Sequence, residues 1–235
     1  MTDTPPRAAL AIGAHPDDIE FGAGATLARW AEAGTEVHLC VLTDGSKGTW
    51  DPEADPTDLI ATRVGEAHDA AEALGATSIT MLDAIDGELI DSLAMRAQVC
   101  RVIRQTQPTI VLGHDPWKRY RVHPDHEQAG RITIGAVVAA RDPHFFPELE
   151  LAPWRPDQIW LFEPERIDHR EPALDHLAVK IQALLAHRSQ WLSTMGIDPE
   201  DPAAGRRAFE ERVLRDAQAL GDGEAAEAFA VITDV

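Results

Sequence analysis

The chain has 235 residues with 21 Lys plus Arg against 40 Asp plus Glu, a formal charge of −19. Such a surface repels phosphate backbones and anionic membranes, so nucleic acid is excluded as an expected partner, while the length suits one α/β domain over residues 1–235. Two isolated cysteines, Cys40 and Cys100, exclude a disulfide framework or a thiolate zinc cluster and read as buried thiols.

Residues 1–13 lack the long apolar run and small-residue cleavage site of a secretory signal, and no stretch is long enough to span a bilayer. The expectation is a cytoplasmic protein with no membrane insertion. A homo-oligomer is compatible with this reading.

In chain order, residues 8–14 form an unbroken apolar run, the pattern of a strand buried on both faces. A helical pattern follows over residues 22–33, with Gly34 placed as its cap. Residues 36–43 (EVHLCVLT) read as a second strand, and 59–74 as a helix closed by Gly75. A third strand spans 77–82, a helix stopped by Pro108 spans 93–105, and a fourth strand spans 109–112. Ala129, Ile132, Ala136, Val137 and Ala140 continue at helical spacing to Asp142-Pro143. A fifth strand is predicted at 158–162 and an amphipathic helix at 174–185. The charged helix predicted at 206–220 reads as a solvated surface element.

Strands alternating with helices at this spacing predict a Rossmann-like, three-layer α/β fold with a mostly parallel central sheet and right-handed crossovers. In such a sheet ligands bind beyond the carboxyl ends of the strands, where the strand order reverses. Strands one and four flank that point, and each ends in a short polar string: Ala14-His15-Pro16-Asp17-Asp18 and His123-Pro124-Asp125-His126. Residues more than a hundred positions apart are therefore expected to share one cleft.

His15 and Asp18 fall one turn apart if Asp18 opens the helix, and His126 supplies a third donor. Two imidazoles and one carboxylate, with positions left for water, make a catalytic zinc pattern that also suits Fe2+ and other first-row ions. Asp17, beside these ligands without being needed by them, is placed to take a proton from an activated water. His123 faces the same point, either stabilising an oxyanion or protonating a leaving amine, with Asp125 orienting its ring and favouring its charged form.

The run Gly13-Ala14-His15-Pro16-Asp17-Asp18-Ile19-Glu20-Phe21-Gly22, together with His123-Pro124-Asp125-His126, resembles the signature of the PIG-L/LmbE family of metal-dependent de-N-acetylases. The likeness continues through Leu42-Thr43-Asp44-Gly45, Arg63 and Glu66, Leu74-Gly75, Asp86-Gly87 and Ala186-His187-Arg188-Ser189-Gln190, covering residues 8–191. The resemblance implies zinc on His15, Asp18 and His126, Asp17 as general base, His123 against the tetrahedral intermediate, and a small glycoconjugate carrying N-acetylglucosamine as substrate. It also makes Arg63, Asp44 and Asp86 candidates for gripping sugar hydroxyls. Their plainer readings are a helix-surface ion pair of Arg63 with Glu66 or a neighbour, and Asp44 and Asp86 as turn residues before glycine.

The chain departs from the family where several members carry a tyrosine two residues before the first histidine of the second motif. Here Arg121 stands at that position and Tyr120 beside it. Either Tyr120 reaches in, or Arg121 substitutes its charge, or neither takes part. The basic loop from His114 to Arg121 suggests an anionic substrate part or an ion pair with acidic loops. Trp50 and Trp117, on loops by the cleft, either stack on sugar or pin their loops. His187 reads as a packed histidine. Specificity is expected to reside in loops 46–58 and 145–155. Rival readings are an amidase acting on a thiol conjugate or secondary-metabolite amide, and a nucleotide-binding module. The latter is disfavoured because His-Pro-Asp-Asp replaces a glycine-rich phosphate loop.

Overall fold

The computed structural model describes residues 4–235; Met1 to Asp3, the start of the segment tested above for a secretory signal, lie outside the described residues. A seven-stranded sheet runs through the molecule in the order β3-β2-β1-β4-β5-β7-β6. Its elements are β1 (Ala8–Gly13), α1 (Asp18–Glu32), β2 (Glu36–Thr43), α2 (Pro56–Ala73), β3 (Ser78–Ala84), α3 (Leu93–Thr106), β4 (Ile110–His114), α4 (Pro124–Arg141), β5 (Gln158–Phe162), β6 (His169–Pro172), α5 (Leu177–Ala186), α6 (Pro202–Leu220) and β7 (Ala226–Ile232). The first five strands pair in parallel, whereas β7 is antiparallel to both β5 and β6.

Alternation along the central strands divides the core. Leu10 and Ile12 of β1 and Val111 of β4 face α3 and α4, in a layer with Val99, Ile103, Ile132 and Ala136. Ala9, Ala11, Ile110 and Leu112 point the other way, toward Leu27 and Trp30 of α1, Ala70 of α2 and Ala183 of α5. A strand apolar on both faces needs helices on both sides, which is why β1 reads as an unbroken apolar run.

The predicted elements are all present, with shifted ends. The helix expected from residue 22 begins at Asp18, with Ile19 extending the buried stripe of Ala23 and Leu27 by one turn. Strands β6 and β7 were not predicted: β6 has only four residues, and β7 closes an antiparallel edge beyond the βα alternation. Helix α6 is not merely solvated. Phe209, Val213 and Ala217 recur every fourth residue and pack with Leu184, Leu185 and Ile197.

Helix α1 is fastened from below by a buried acid–base pair. Lys180 Nζ donates to Glu227 Oε1 (2.6 Å) and to the carbonyl of Phe21 (2.7 Å), while Glu227 accepts from the amides of Ala25 and Thr26. Among the described residues no helix is long and apolar enough to cross a membrane.

Close approach of α1 to β5 explains Gly22, at the end of the first motif. A Cβ there would lie 2.5 Å from Phe162 Cδ2 and 2.7 Å from its Cγ. Gly22→Ala is therefore expected to lower the unfolding free energy by ~1–3 kcal/mol through overpacking, read from urea denaturation. An unchanged midpoint would mean that α1 withdraws from β5 without loss.

Candidate functional site

Strands β1 and β4 are neighbours, and α1 and α4 leave them on opposite faces of the sheet, so the first turns of both helices meet over the strand ends. Asp17 is the N-cap of α1 and His123 the N-cap of α4, yet neither side chain makes a capping hydrogen bond. By contrast Asp55 caps α2 through Thr57 and Asp58, and Ser92 caps α3 through Met95. Asp17 is moreover held at φ 106°, a conformation rare outside glycine and of a kind that costs ~1–3 kcal/mol. Helices α5 and α6 also lack a side-chain cap, but at α1 and α4 the N-cap side chains, Asp17 and His123, are the ones that stand in the cleft wall.

The Asp18 carboxylate lies among three imidazoles: Oδ2 is 3.1 Å from His15 Nδ1 and 3.3 Å from His114 Nε2, and Oδ1 is 3.2 Å from His126 Nε2. Burial works against its charge, but His114 and His126 hold it well below the usual carboxylate range. His15 Nε2 faces Asp86 Oδ1 and Asp125 Oδ2, each at 3.2 Å. Burial disfavours the charged His15 ring, yet hydrogen bonds to Asp125 and Asp18 outweigh it and push the pKa up to about 12. Burial pushes Asp17 up to about 6 against the pull of Arg63.

Donor atoms of His15, His123 and His126 lie within 4.8 Å of one another, as do those of Asp18, His114 and His126, and those of His15, Asp86, His123 and Asp125. The donor set, nitrogen and carboxylate oxygen without sulfur, fits a first-row divalent ion, and the convergence of Asp18, Asp86 and Asp125 on His15 leaves negative charge for such an ion to offset. A cavity of about 560 Å³ opens over the cluster, with Asp17, Arg63, Asp86 and His123 in its walls.

Several expected roles change. Asp125 does not orient His123: its carboxylate accepts from the amides of Gly87 (2.7 Å) and Leu89 (3.2 Å) and turns to His15. Nor is the charged form of His123 favoured, since burial and the charge of His15 move its pKa down. Asp44 is absent from the cavity wall; its Oδ1 accepts from the amides of Ser46 and Asp86, so it shapes the turn. Tyr120 is 95 % exposed and does not reach in. Arg121 instead donates to His126 Nδ1 (2.6 Å) and pairs with Glu163 (2.6 Å), standing behind His126.

Arg63 is 2 % exposed and donates to the carbonyls of Gly45 (2.9 Å) and Pro16 (2.7 Å), with Asp17 at 3.8 Å and Asp86 at 3.9 Å. It braces the cleft floor, and the Glu66 partner considered from sequence goes elsewhere. Glu66 accepts from the amide and hydroxyl of Ser189, tying the late Ala186–Gln190 motif to α2. Trp50 and Trp117 are exposed and stand outside the cavity wall. His187 is fully buried, with Nε2 3.7 Å from Glu20 and no hydrogen bond at either ring nitrogen, as a packed histidine.

Sequence reasoning missed His114 and Glu163. His114, at the end of β4, stacks on His126 (4.4 Å between centroids, 11° between planes) and its Nε2 accepts from the amide of Ala14. Its position at a strand end was a usable signal; Glu163, just past β5, offered only the same weak one.

The PIG-L: GlcNAc-PI de-N-acetylase family pattern matches residues 10–137. Diacetylchitobiose deacetylase of Thermococcus kodakarensis is 36% identical over 185 residues, covering 77% of this chain and 69% of that protein. The 1D-myo-inositol 2-acetamido-2-deoxy-alpha-D-glucopyranoside deacetylase of Streptomyces avermitilis is 33% identical over 68% of this chain, which spans only 62% of its length. Among solved structures, N,N'-diacetylchitobiose deacetylase from Pyrococcus horikoshii superposes with a TM-score of 0.86 at 28% identity, over 97% of this chain and 84% of the other. A hydratase, GalB of Pseudomonas putida, shares the fold at 22% identity and a TM-score of 0.76. Matched by pattern over more than half its length and related to N-deacetylating hydrolases by both sequence and structure, the chain belongs to the PIG-L, GlcNAc-PI de-N-acetylase, family.

Proposed function

We propose that this protein is a zinc-dependent deacetylase that removes the acetyl group from an N-acetylglucosamine-type conjugate. The carrying observation is the convergence of His15, His126 and Asp18 at 3.1–3.2 Å beside an Asp17 whose carboxylate is free of capping duty. His15, Asp18 and His126 would hold the ion. When bound, it supplies Lewis-acid polarisation of the amide carbonyl and eases deprotonation of water. Diacetylchitobiose and an inositol-linked acetamido sugar, the substrates named for its relatives, indicate the substrate class.

Asp17 takes the proton of the attacking water and carries it toward the departing amine. His123, its ring 4.4 Å from that of His15, presents an N–H to the oxyanion. Asp86 and Asp125 hold His15 in place, and Arg121 and His114 flank His126. The free, buried thiols of Cys40 and Cys100 support a reducing, cytoplasmic setting.

Asp17→Asn is expected to retain metal but lose turnover by ~100- to 10,000-fold, measured as acetate release beside elemental analysis. Near-normal kcat would remove Asp17 as base. His126→Ala should instead lower metal stoichiometry, and a full complement would take His126 out of the ligand set.

Arg63 separates two roles. As a brace under Asp17 and Asp86, its loss removes the guanidinium facing the buried Asp17 carboxylate and the hydrogen bonds to the carbonyls of Gly45 and Pro16, so Arg63→Gln should destabilise the fold by about 3 kcal/mol. A variant with unchanged denaturation midpoint and a raised KM would restore the direct grip on sugar hydroxyls that the sequence suggested.

A further inference from the structure

A second cavity, of about 260 Å³, adjoins the one over the metal cluster. The two have Phe21, Glu163 and Arg212 in common as wall residues, so they lie side by side between the cluster and α6. Its far wall is apolar, built from Val213, Ala217 and Leu220 on successive turns of α6, with Ala226 and Ala228 of β7 beside them.

Three cations, Lys118, Lys180 and Arg212, and three carboxylates, Glu163, Asp216 and Glu227, line this cavity, but they do not all pair with one another. Lys180 and Glu227 neutralise each other, and Glu163 is matched by Arg121. Arg212 and Lys118 remain. Among the described residues neither has a carboxylate in ion-pair reach; Arg212 donates only to the carbonyl of Thr194 and lies 5.2 Å over the Phe209 ring. The one carboxylate left over, Asp216, is exposed. In a chain of net charge −19, two unpaired cations bordering one apolar cavity call for an anionic ligand with a hydrophobic body.

We propose that this cavity is the subsite for the part of the substrate beyond the acetylated sugar, and that it selects an aglycone with an apolar ring face and an acidic group held by Arg212 and Lys118. The proposal rests on the deacetylase reading to place the sugar at the cluster. Apolar area against α6 supplies affinity, and the cations supply the choice between acidic and neutral aglycones.

Calorimetric titration of the metal-loaded protein with three amine products tests this: 4-carboxyphenyl, 4-methylphenyl and methyl β-D-glucosaminide. The carboxyphenyl compound should bind ~10-fold more tightly than the methylphenyl one, and Arg212→Gln should reduce that gap to below ~2-fold. Ala217→Phe fills the cavity and should erase the advantage of both aryl compounds over the methyl one. Equal binding of all three by the unaltered protein, or an unchanged ranking in both variants, would overturn the subsite. Because the ranking concerns products, a protein that released no acetate would sink the reaction and leave the ranking standing, whereas an active deacetylase with equal binding would sink the subsite alone.

Discussion

The arrangement depends on charge balance in a dry space. Asp17, Asp18, Asp86 and Asp125 crowd one end of the sheet, all largely buried, and unit charges 4 Å apart near a protein surface interact by about 4 kcal/mol. Like charges at that spacing persist only if cations are placed among them. Arg63 supplies one, within 4 Å of Asp17 and Asp86, the N-terminal ends of α1 and α4 add partial positive charge, and the ring nitrogens of His15 face three of the four carboxylates. Remaining negative charge at a set of nitrogen and oxygen donors is the physical reason a divalent ion belongs there.

The fold contributes by directing helix starts. In an α/β unit each strand delivers the chain to the N-terminus of the next helix, and the cap residue ordinarily uses its side chain on exposed amides, as Asp55 and Ser92 do. At α1 and α4, as at α5 and α6, no side-chain cap forms. Asp17 adopts an unfavourable backbone conformation instead, and His123 turns its ring toward His15 and His126. The stability forgone at two caps is the counterpart of reactive groups held over the cleft, and the Lys180–Glu227 pair fastens α1 independently of its cap.

What could be read from the sequence follows from how local the cause is. Continuous apolar runs and motif spacing are local, so β1 to β5, the reversal between β1 and β4, and the nearness of His15, Asp18 and His126 were all legible. Partner choice is not local. Asp125 sits beside His123 in the chain but serves His15, because the loop after β3 offers the amides of Gly87 and Leu89. Likewise Arg121 finds His126 and Glu163 rather than a substrate position, and Tyr120, its neighbour, points to solvent. His114 carried no spacing signal because the amide it accepts from, that of Ala14 just past β1, lies a hundred residues earlier in the chain.

The C-terminal third shows the same principle at larger scale. Helix α6 reads as solvated because charged residues are spread along its whole length, yet Phe209, Val213 and Ala217 form one stripe. That stripe finds its cover only because β7 runs antiparallel into the sheet and carries α6 back over α1, where Phe21 meets Phe209 edge-on at 6.3 Å. A stripe three residues long cannot fill the angle between α1 and β7, and the unfilled part is the cavity that shares Phe21 with the catalytic cleft. Larger or smaller side chains on α6 would therefore change the shape of that cavity without touching the cluster beneath β1 and β4, which lets one fold keep its chemistry while the accepted aglycone varies.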